Sequence, residues 1–331
     1  MIRLTRLLVA AILLVQAACA APPPPTDPIV IDGSSTLAPL TEAVVADFQK
    51  THRNVPIKLA SVGTAEGFTH FCRAELDILD ASRPVSPAEQ AVCASGNVTF
   101  IELPGAHDAL TVMVNVGNTW ASSITVSELR KLWEPVAEAK ITRWNQVRSD
   151  WPDRPIRLFG PGPESGTFDY FTEVVTGAVD SSRKDYTMSN DDTVIVKGVA
   201  ADVEALGYVG YGYFDRNRKV LKALAIDDED DRVGQGPIEP SPLNVGRGVY
   251  RPFARPLFIY VNQARLTRPE VQLFVDTYVR RAGELPLSAG AAPLTGTSYE
   301  LVTQRLAKGM TGTMFRTAED RGQAIDLLLN Q

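Results

Sequence analysis

Residues 28–48, PIVIDGSSTLAPLTEAVVADF, contain the pattern that sets the fold class. An apolar strand, Ile29 to Ile31, is followed by a polar turn and then by apolar residues at intervals of three and four, which is helical spacing. The same order recurs at 57–72, IKLASVGTAEGFTHFC, and again at 154–175, where RPIRLFG precedes a helical run. Alternating strands and helices of this length predict an α/β fold.

Composition limits the classes of function. The 331 residues are 44% hydrophobic and 22% charged, which is ordinary for a globular protein with two domains or one large one. The formal net charge of −6 argues against a surface that binds nucleic acid or an anionic membrane by bulk electrostatics. If the ligand is an anion, it must therefore be held by local geometry.

Residues 1–19 are typical of a secretory signal peptide. Arg3 and Arg6 precede a short apolar core, and small residues follow it. The apolar core is too short to span a membrane, and the sequence has no other long apolar run. We therefore expect an exported protein whose mature chain does not cross a membrane.

The processing site has two interpretations. Ala17-Ala18-Cys19 resembles a lipoprotein box with Cys19 as the lipidated N-terminus, although Gln16 departs from the usual pattern. Ordinary cleavage before Ala21 also fits the small residues. We favour the lipoprotein, because the proline-rich segment 20–27 would form a stiff spacer between a membrane and a domain. A disordered mature N-terminus is the alternative.

The remaining cysteines form an even pair. Once Cys19 is removed or lipidated, Cys72 and Cys93 remain in an oxidising compartment. We predict a disulfide between them, worth about 3 kcal/mol by the loop-entropy estimate. Two buried free thiols are the alternative.

The stretch FGPGPESGTFDYF at 159–171 combines glycines with a serine and a threonine. It is not a nucleophile elbow, because Ser165 does not have the G-x-S-x-G spacing and none of the three histidines lies near it in sequence. It is not a nucleotide phosphate loop either. The interval from Gly160 to Gly166 is one residue too long, and Thr167 occupies the place of the lysine.

An anion cradle fits this stretch better. A helix N-terminus presents amides without intrahelical partners, glycine permits close approach, and hydroxyls add neutral donors. A single such junction is usually a plain helix cap. In an α/β sheet, several of them converge at the carboxyl ends of the strands, where ligands bind. The junctions are Ser34-Ser35-Thr36, Ser61-Val62-Gly63-Thr64 and Ser165-Gly166-Thr167.

A series of motifs covers roughly residues 29–280. In order, they are Asp32-Gly33-Ser34-Ser35-Thr36, Ala81-Ser82-Arg83-Pro84, Leu129-Arg130-Lys131-Leu132-Trp133, Thr142-Arg143-Trp144-Asn145, the stretch 157–171, Asp185-Tyr186-Thr187, Asp191-Asp192, Gly207-Tyr208-Val209-Gly210-Tyr211 and Arg255-Pro256-Leu257-Phe258. Their order and spacing resemble those of the phosphate-binding proteins of phosphate-specific ABC transporters.

The resemblance implies a type II periplasmic-binding-protein fold, in which two α/β lobes close around one phosphate. We expect crossovers near 104–109 and 244–256. Lobe 1 is then 28–105 plus 249–331, and lobe 2 is 106–248.

The resemblance also implies a set of phosphate-binding residues. Arg83 is assigned as the bidentate phosphate partner, because it stands where some relatives carry an acid and Pro161 replaces an arginine that others carry. A salt bridge is the alternative for Arg83. Glu164, narrowly preferred over Asp80, is expected to accept the proton that phosphate carries and sulfate lacks. The alternative for Glu164 is a bond to an N-terminal amide of its helix. The donors expected by motif position are Ser35, Thr36, Ser61, Ser165, Gly166 and Thr167.

Three further segments carry separate predictions. ALGYVGYGYF at 205–214 predicts a glycine-interleaved aromatic strand. The acidic run DDEDD at 227–231 predicts a solvated loop rather than a calcium site, whose ligands are normally interleaved with other residues. Thr311-Gly312-Thr313 predicts a flexible connection between helices, with a second anion loop as the alternative.

The expected function is extracytoplasmic binding of inorganic phosphate and its delivery to ABC permease subunits, by a monomer without catalysis, metal or cofactor. Nucleic acid is not an expected partner, and the only expected membrane contact is the lipid anchor. One alternative is an oxyanion sensor that presents its closed form to a receptor. The other is a phosphate-ester hydrolase, disfavoured because no metal-ligand spacing is readable.

Overall fold

The structure is a computed structural model, and it describes residues 27–230, 236–286, 290–317, 320 and 325–331. The predicted signal peptide with Cys19 and the spacer up to residue 26 lie outside the described residues, as does Asp231 of the acidic run. In the part of the chain that is described, no helix has both the length and the hydropathy needed to cross a bilayer.

Strands and helices alternate, as the apolar spacing predicts. The strands are β1 Ile29–Gly33, β2 Ile57–Leu59, β3 Ile78–Ala81, β4 Phe100–Asn115, β5 Ser123–Thr125, β6 Arg157–Gly160, β7 Thr187–Met188, β8 Ala205–Gly210, β9 Leu221–Ala223, β10 Ala225–Asp227 and β11 Ala254–Asn262. The helices are α1 Ala38–Phe48, α2 Thr64–Cys72, α3 Pro87–Ser95, α4 Val126–Trp133, α5 Trp144–Val147, α6 Gly166–Thr176, α7 Asp192–Ala201, α8 Tyr211–Asp215, α9 Pro242–Gly246, α10 Pro269–Arg281, α11 Gly296–Ala307 and α12 Ile325–Leu329.

Two long strands, β4 and β11, run through the middle of the main sheet. The strand order is β2-β1-β3-β11-β4-β8-β6-β7, and β9 pairs with β4 off this path. β1 is parallel to β2 and β3 at one end, and β6 is parallel to β7 and β8 at the other. β4 pairs with β11 over residues 100–109 and with β8 over residues 110–114, so it belongs to both ends of the sheet.

The buried side chains divide at the middle of the long strands. One apolar cluster takes residues from 109 to 253 together with Ala292, and we call the part of the chain packed on it lobe 2. Two other clusters take residues from 29–106 and 257–328, and we call that part lobe 1. The predicted limits of 28–105 plus 249–331 and 106–248 stay predictions. Close to these limits, the buried residues pass from one apolar cluster to the other, between Ala106 and Ala109 and between Phe253 and Leu257.

The aromatic segment at 205–214 differs from the prediction. Its strand ends at Gly210, and Tyr211 begins the short helix α8. The chain turns here because the Tyr211 amide donates to Asp108 Oδ1 at 3.1 Å. A Cβ at Gly210 would lie 2.8 Å from Thr36 Cγ2, so glycine allows this turn to pack against lobe 1.

The predicted disulfide between Cys72 and Cys93 is confirmed. It joins the end of α2 to α3, and both cysteines are buried in lobe 1.

The segment Thr311-Gly312-Thr313 connects α11 to the C-terminal residues, and a buried carboxylate holds it in place. Thr313 Oγ1 donates to Glu102, and the Met314 amide donates to Glu102 Oε1 at 2.8 Å. Tyr260 donates to the other oxygen, Oε2, at 2.6 Å. Because the partner of Thr313 is itself a carboxylate, this loop is not arranged to bind an anion.

The described part of the acidic run, residues 227–230, begins at the last residue of β10. Glu229 Oε2 accepts a hydrogen bond from the Ser127 amide at 2.9 Å. No group of His, Cys, Asp and Glu suitable for a metal ion occurs among the described residues.

Candidate functional site

The first strand-to-helix junction follows β1. Asp32 Oδ1 accepts from the amides of Gly33 at 2.7 Å and Val62 at 3.0 Å, which ties the turn after β1 to the turn after β2. Gly33 has a φ of +127° and packs against the chain of β3, where a Cβ would lie 2.1 Å from the Asp80 carbonyl oxygen. Glycine is required there, and it places Ser35 and Thr36 at the edge of the cleft between the lobes.

At the second junction, the hydroxyl at the cleft belongs to Thr64, and not to Ser61 as was expected from the sequence. Ser61 is exposed, whereas Thr64, the first residue of α2, is fully buried. Thr64 Oγ1 lies 3.2 Å from Ser82 Oγ and accepts from the Ser82 amide at 3.2 Å. The structure thus brings Thr64 and Ser82 to the cleft, whereas the side chain of Ser61 is exposed to solvent.

The third junction is the N-terminus of α6 in lobe 2. Ser165 caps this helix, and its Oγ accepts from the Thr167 amide at 3.1 Å. A Cβ at Gly166 would lie 2.6 Å from Ser82 Oγ and 2.7 Å from Thr64 Oγ1. The start of α6 therefore rests directly on the hydroxyls of lobe 1, and only glycine leaves room for this contact.

Hydroxyls of the first and third junctions meet across the cleft. Thr36 Oγ1 of lobe 1 lies 3.0 Å from Thr167 Oγ1 of lobe 2. Ser35 Oγ donates to Asp192 Oδ2, at the start of α7, at 2.9 Å. Tyr213 of α8 also donates to the Ser35 carbonyl at 3.2 Å. The lobes are thus in direct contact at the predicted cradle, which corresponds to a closed arrangement.

A buried arginine lies beside these hydroxyls. Arg255 of β11 is 1% exposed, and its Nη2 donates to Thr167 Oγ1 at 2.8 Å and to Thr36 Oγ1 at 3.2 Å. Nη1 donates to the Gly166 carbonyl at 3.0 Å. Nε and Nη2 also donate to Asp108 Oδ2 on β4, at 3.2 and 3.0 Å. One guanidinium therefore connects both lobes and both long strands.

Arg83, the predicted phosphate partner, is held by two carboxylates. Nη1 and Nη2 donate to Glu89 at 2.9 and 2.8 Å, and Nε donates to Asp169 of α6 at 2.5 Å. Burial opposes the charged form of Arg83, but the bonds and charges of Glu89 and Asp169 outweigh it and raise its pKa. Arg83 therefore forms a salt bridge, the predicted alternative to phosphate binding. Its pair with Asp169 joins lobe 1 to lobe 2.

The two expected proton acceptors lie in different surroundings. Glu164 is exposed, and its Oε2 accepts from Asn190 Nδ2 at 2.9 Å. Asp80 is buried on the α1 side of the sheet, where Oδ2 accepts from Thr41 Oγ1 at 2.7 Å and Oδ1 has no partner among the described residues. Burial raises the pKa of Asp80 to about 7. Its carboxyl therefore faces Thr41 and not the hydroxyls of the cradle.

A third carboxylate, which was not predicted from the sequence, lies at the cleft. Asp192 is 3% exposed, and burial raises its pKa to about 6 although the bond from Ser35 favours the ionised form. Thr64, Ser82 and Arg255 were also missed as site residues. Each of the three residues lies within a junction or motif recognised in the sequence. The spacing of those motifs does not show which side chain faces the cleft.

Comparison with known proteins identifies the family. The model of the PBP superfamily domain matches residues 19–280. The chain belongs to the PBP superfamily. It is 44% identical over 288 residues to Protein SphX of Synechocystis sp., covering 87% of this chain and 84% of that protein. It is 33% identical over 240 residues to the phosphate-binding protein PstS of Staphylococcus haemolyticus, covering 72% of each.

Solved structures agree with this family. The crystal structure of a possible phosphate binding protein from Planctomyces limnophilus is 40% identical, has a TM-score of 0.63 and covers 86% of this chain and 99% of that one. A putative phosphate ABC transporter substrate-binding protein with bound phosphate, from Clostridium perfringens, has a TM-score of 0.68 over 81% of this chain and 100% of that one. At 21% identity the second likeness shows the fold alone. The predicted resemblance and the type II periplasmic-binding-protein fold are confirmed.

Proposed function

We propose that this PBP-superfamily chain binds inorganic phosphate between its lobes and delivers it to the permease subunits of an ABC transporter. The observation that carries the proposal is the meeting of Thr36 and Thr167, hydroxyls of opposite lobes, 3.0 Å apart at the N-terminus of α6. The relatives named for phosphate binding support the choice of anion.

The cradle suits a small oxyanion for physical reasons. Its residues are neutral hydroxyl donors and the start of a helix, where the helix dipole favours negative charge. A closed cleft removes water from the ligand, so each hydrogen bond to the anion becomes stronger than in solvent. Ligand capture is then coupled to lobe closure, because the donors belong to both lobes.

The proposed donors are Thr36, Ser165, Gly166 and Thr167, together with Thr64. Ser35 stays a predicted donor, although in this structure its one hydroxyl proton is donated to Asp192. Ser61 and Glu164 stay predictions, but their exposure gives them little support.

We propose binding without turnover as the chemistry. Export to an extracytoplasmic compartment and attachment through Cys19 are part of the proposal, and the N-terminal sequence supports them. We also propose that the protein works as a monomer. If the chain were instead a sensor, phosphate uptake would remain unchanged after deletion of the permease. If it were a hydrolase, it would release phosphate from a chromogenic phosphate ester.

Calorimetric titration of phosphate into ligand-stripped protein, with and without excess sulfate, tests the binding proposal. We expect one-to-one binding that sulfate does not displace. Thr167→Val should weaken it, whereas Thr303→Val, which removes an exposed hydroxyl that donates to the Tyr299 carbonyl of its own helix, should not. Absence of binding heat, or equal competition by sulfate, would contradict the proposal.

A further inference from the structure

A doubly charged anion held away from water needs a positive partner, because burial of an unpaired charge is costly. The net charge of the chain is −6, so the overall field does not supply one. Within the described part of the chain, two arginines reach the closed cleft, Arg83 from the end of β3 and Arg255 from β11. The two arginines differ in how far neighbouring carboxylates offset their positive charge.

Arg83 has its charge offset by two acids. All three of its nitrogens donate to Glu89 or Asp169, and Nη1 also donates to the Pro84 carbonyl. An anion placed against Arg83 would meet these carboxylates as well.

Among the described residues, Arg255 is hydrogen-bonded to one acid only, although the buried carboxylate of Asp192 also lies near enough to interact with its charge. Asp108 accepts from Nε and Nη2, while the other acceptors of this guanidinium are the Gly166 carbonyl and two hydroxyls. Nη2 carries two N–H groups but faces three oxygens, those of Asp108, Thr36 and Thr167. An entering phosphate oxygen can therefore share one of these N–H groups with a hydroxyl oxygen, and no N–H is left unpaired.

The contacts of Arg255 also fix the direction of the hydroxyls. A guanidinium only donates, so Thr36 and Thr167 must accept from it, and their own protons point away from it, one of them toward the other hydroxyl 3.0 Å away. A hydroxyl that accepts from a cation is a polarised donor to its next partner. The same arginine can thus supply charge and turn both hydroxyls into donors.

We infer that Arg255, carried by the long strand β11 and oriented by Asp108 on β4, is the charge partner of the bound anion and sets the hydroxyls of Thr36 and Thr167 as donors. This inference rests on the proposed function. It gives the role first assigned to Arg83 to a residue placed on the strands that join the lobes.

The test compares phosphate affinities by calorimetry in full-length variants, with thermal unfolding as a check of folding. Arg255→Met removes the charge and should weaken phosphate binding about 100-fold, as expected for loss of a buried charge-assisted pair. Arg255→Lys should bind phosphate about tenfold more tightly than Arg255→Met. Lysine keeps the positive charge, but it cannot keep the hydrogen bonds to both hydroxyls. The double variant Asp108→Asn/Arg255→Met removes the aspartate that the single variant leaves unpaired. It should bind phosphate as weakly as Arg255→Met.

The matched control is Arg305→Met. Arg305 is buried in lobe 1, where it donates to the carbonyls of Glu102 and Gly312, away from the cleft. We expect it to lower stability and leave phosphate affinity unchanged. Arg83→Met should weaken binding by less than Arg255→Met.

Several results would overturn the inference. Wild-type affinity in folded Arg255→Met, or a larger loss in Arg83→Met, would show that Arg255 is not the charge partner. If Arg255→Met does not fold, unchanged affinity in Arg255→Lys would have the same meaning. If the wild-type protein does not bind phosphate, the proposed function itself fails, and the two failures are thereby distinguished.

Discussion

Arg83 of lobe 1 and Asp169 of lobe 2 form an ion pair across the cleft, while the other side of the Arg83 guanidinium is fixed to Glu89. Glu89 belongs to the capping box of α3, so Arg83 is fixed in lobe 1 before the lobes meet. Closure then adds one partly buried contact, to a residue one turn into the helix that begins at the cradle.

Asp169→Asn should shift the protein toward an open form, because it removes the charge that Arg83 meets on closure. We expect phosphate affinity to fall about tenfold, since binding weakens in proportion to the loss of the closed population. Calorimetry and the radius of gyration from small-angle scattering measure the two effects. Asp202→Asn, which breaks the exposed Arg157 pair inside lobe 2, is the control. Unchanged scattering and affinity in Asp169→Asn would show that this pair does not govern closure.

Gly166→Ala should prevent full closure. The added methyl would lie within 2.7 Å of both Ser82 Oγ and Thr64 Oγ1, and neither hydroxyl belongs to a long flexible side chain. We expect phosphate affinity to fall by about 100-fold or more, by titration calorimetry. Gly296→Ala, at the first residue of α11 with open space around it, should leave affinity unchanged. Tight binding by Gly166→Ala would mean that the liganded cleft is wider than the structure shows.

Asp80→Asn should stabilise the protein at neutral and alkaline pH. The pKa of Asp80 is raised from 3.8 to about 7, so the folded state keeps a proton that the unfolded chain releases. Stability therefore falls as pH rises from 3.8 to about 7 in the wild type, and asparagine removes that loss. We expect a gain of about 1–3 kcal/mol in unfolding free energy above this range, from urea unfolding. The gain should vanish below pH 3.8, and an equal gain at every pH would contradict the buried titration.

Loss of the disulfide should lower the free energy of unfolding by about 3 kcal/mol, because the bond restricts the unfolded chain. Urea unfolding of Cys72→Ala/Cys93→Ala against the oxidised wild type measures this loss. Reductant should destabilise the wild type and leave the double variant unaffected. Equal sensitivity of the two proteins to reductant would show that another process is responsible.

Local pattern predicted the parts of the fold that depend on neighbours in sequence. The strand–turn–helix units at β1–α1, β2–α2 and β6–α6 were found, because their apolar residues repeat at strand and helix spacing. The change from strand to helix within 205–214 was not predicted, because it depends on Asp108, a partner distant in sequence.

The same distinction holds for the site. Thr36 and Thr167 were selected from their junctions, and the structure places them together. Ser61 and Thr64 belong to one turn, and only the packing of α2 decides which of them faces the cleft. Arg83 and Arg255 both lie in recognised motifs, yet their roles depend on whether acids from other elements offset their charges. A single sequence does not show that pairing.

The long strand β11 lies between β3 and β4, although both of those strands precede it by a whole lobe in the chain. During synthesis, β3 and the first half of β4 are made early and have no neighbour between them until residues 254–262 emerge. Apart from Ala292, the core of lobe 2 is continuous in sequence and is made before β11, whereas lobe 1 must wait for the chain to return. Exposed strand edges are open to wrong pairing during that interval. The lobe that is begun first is therefore the last whose residues are all available.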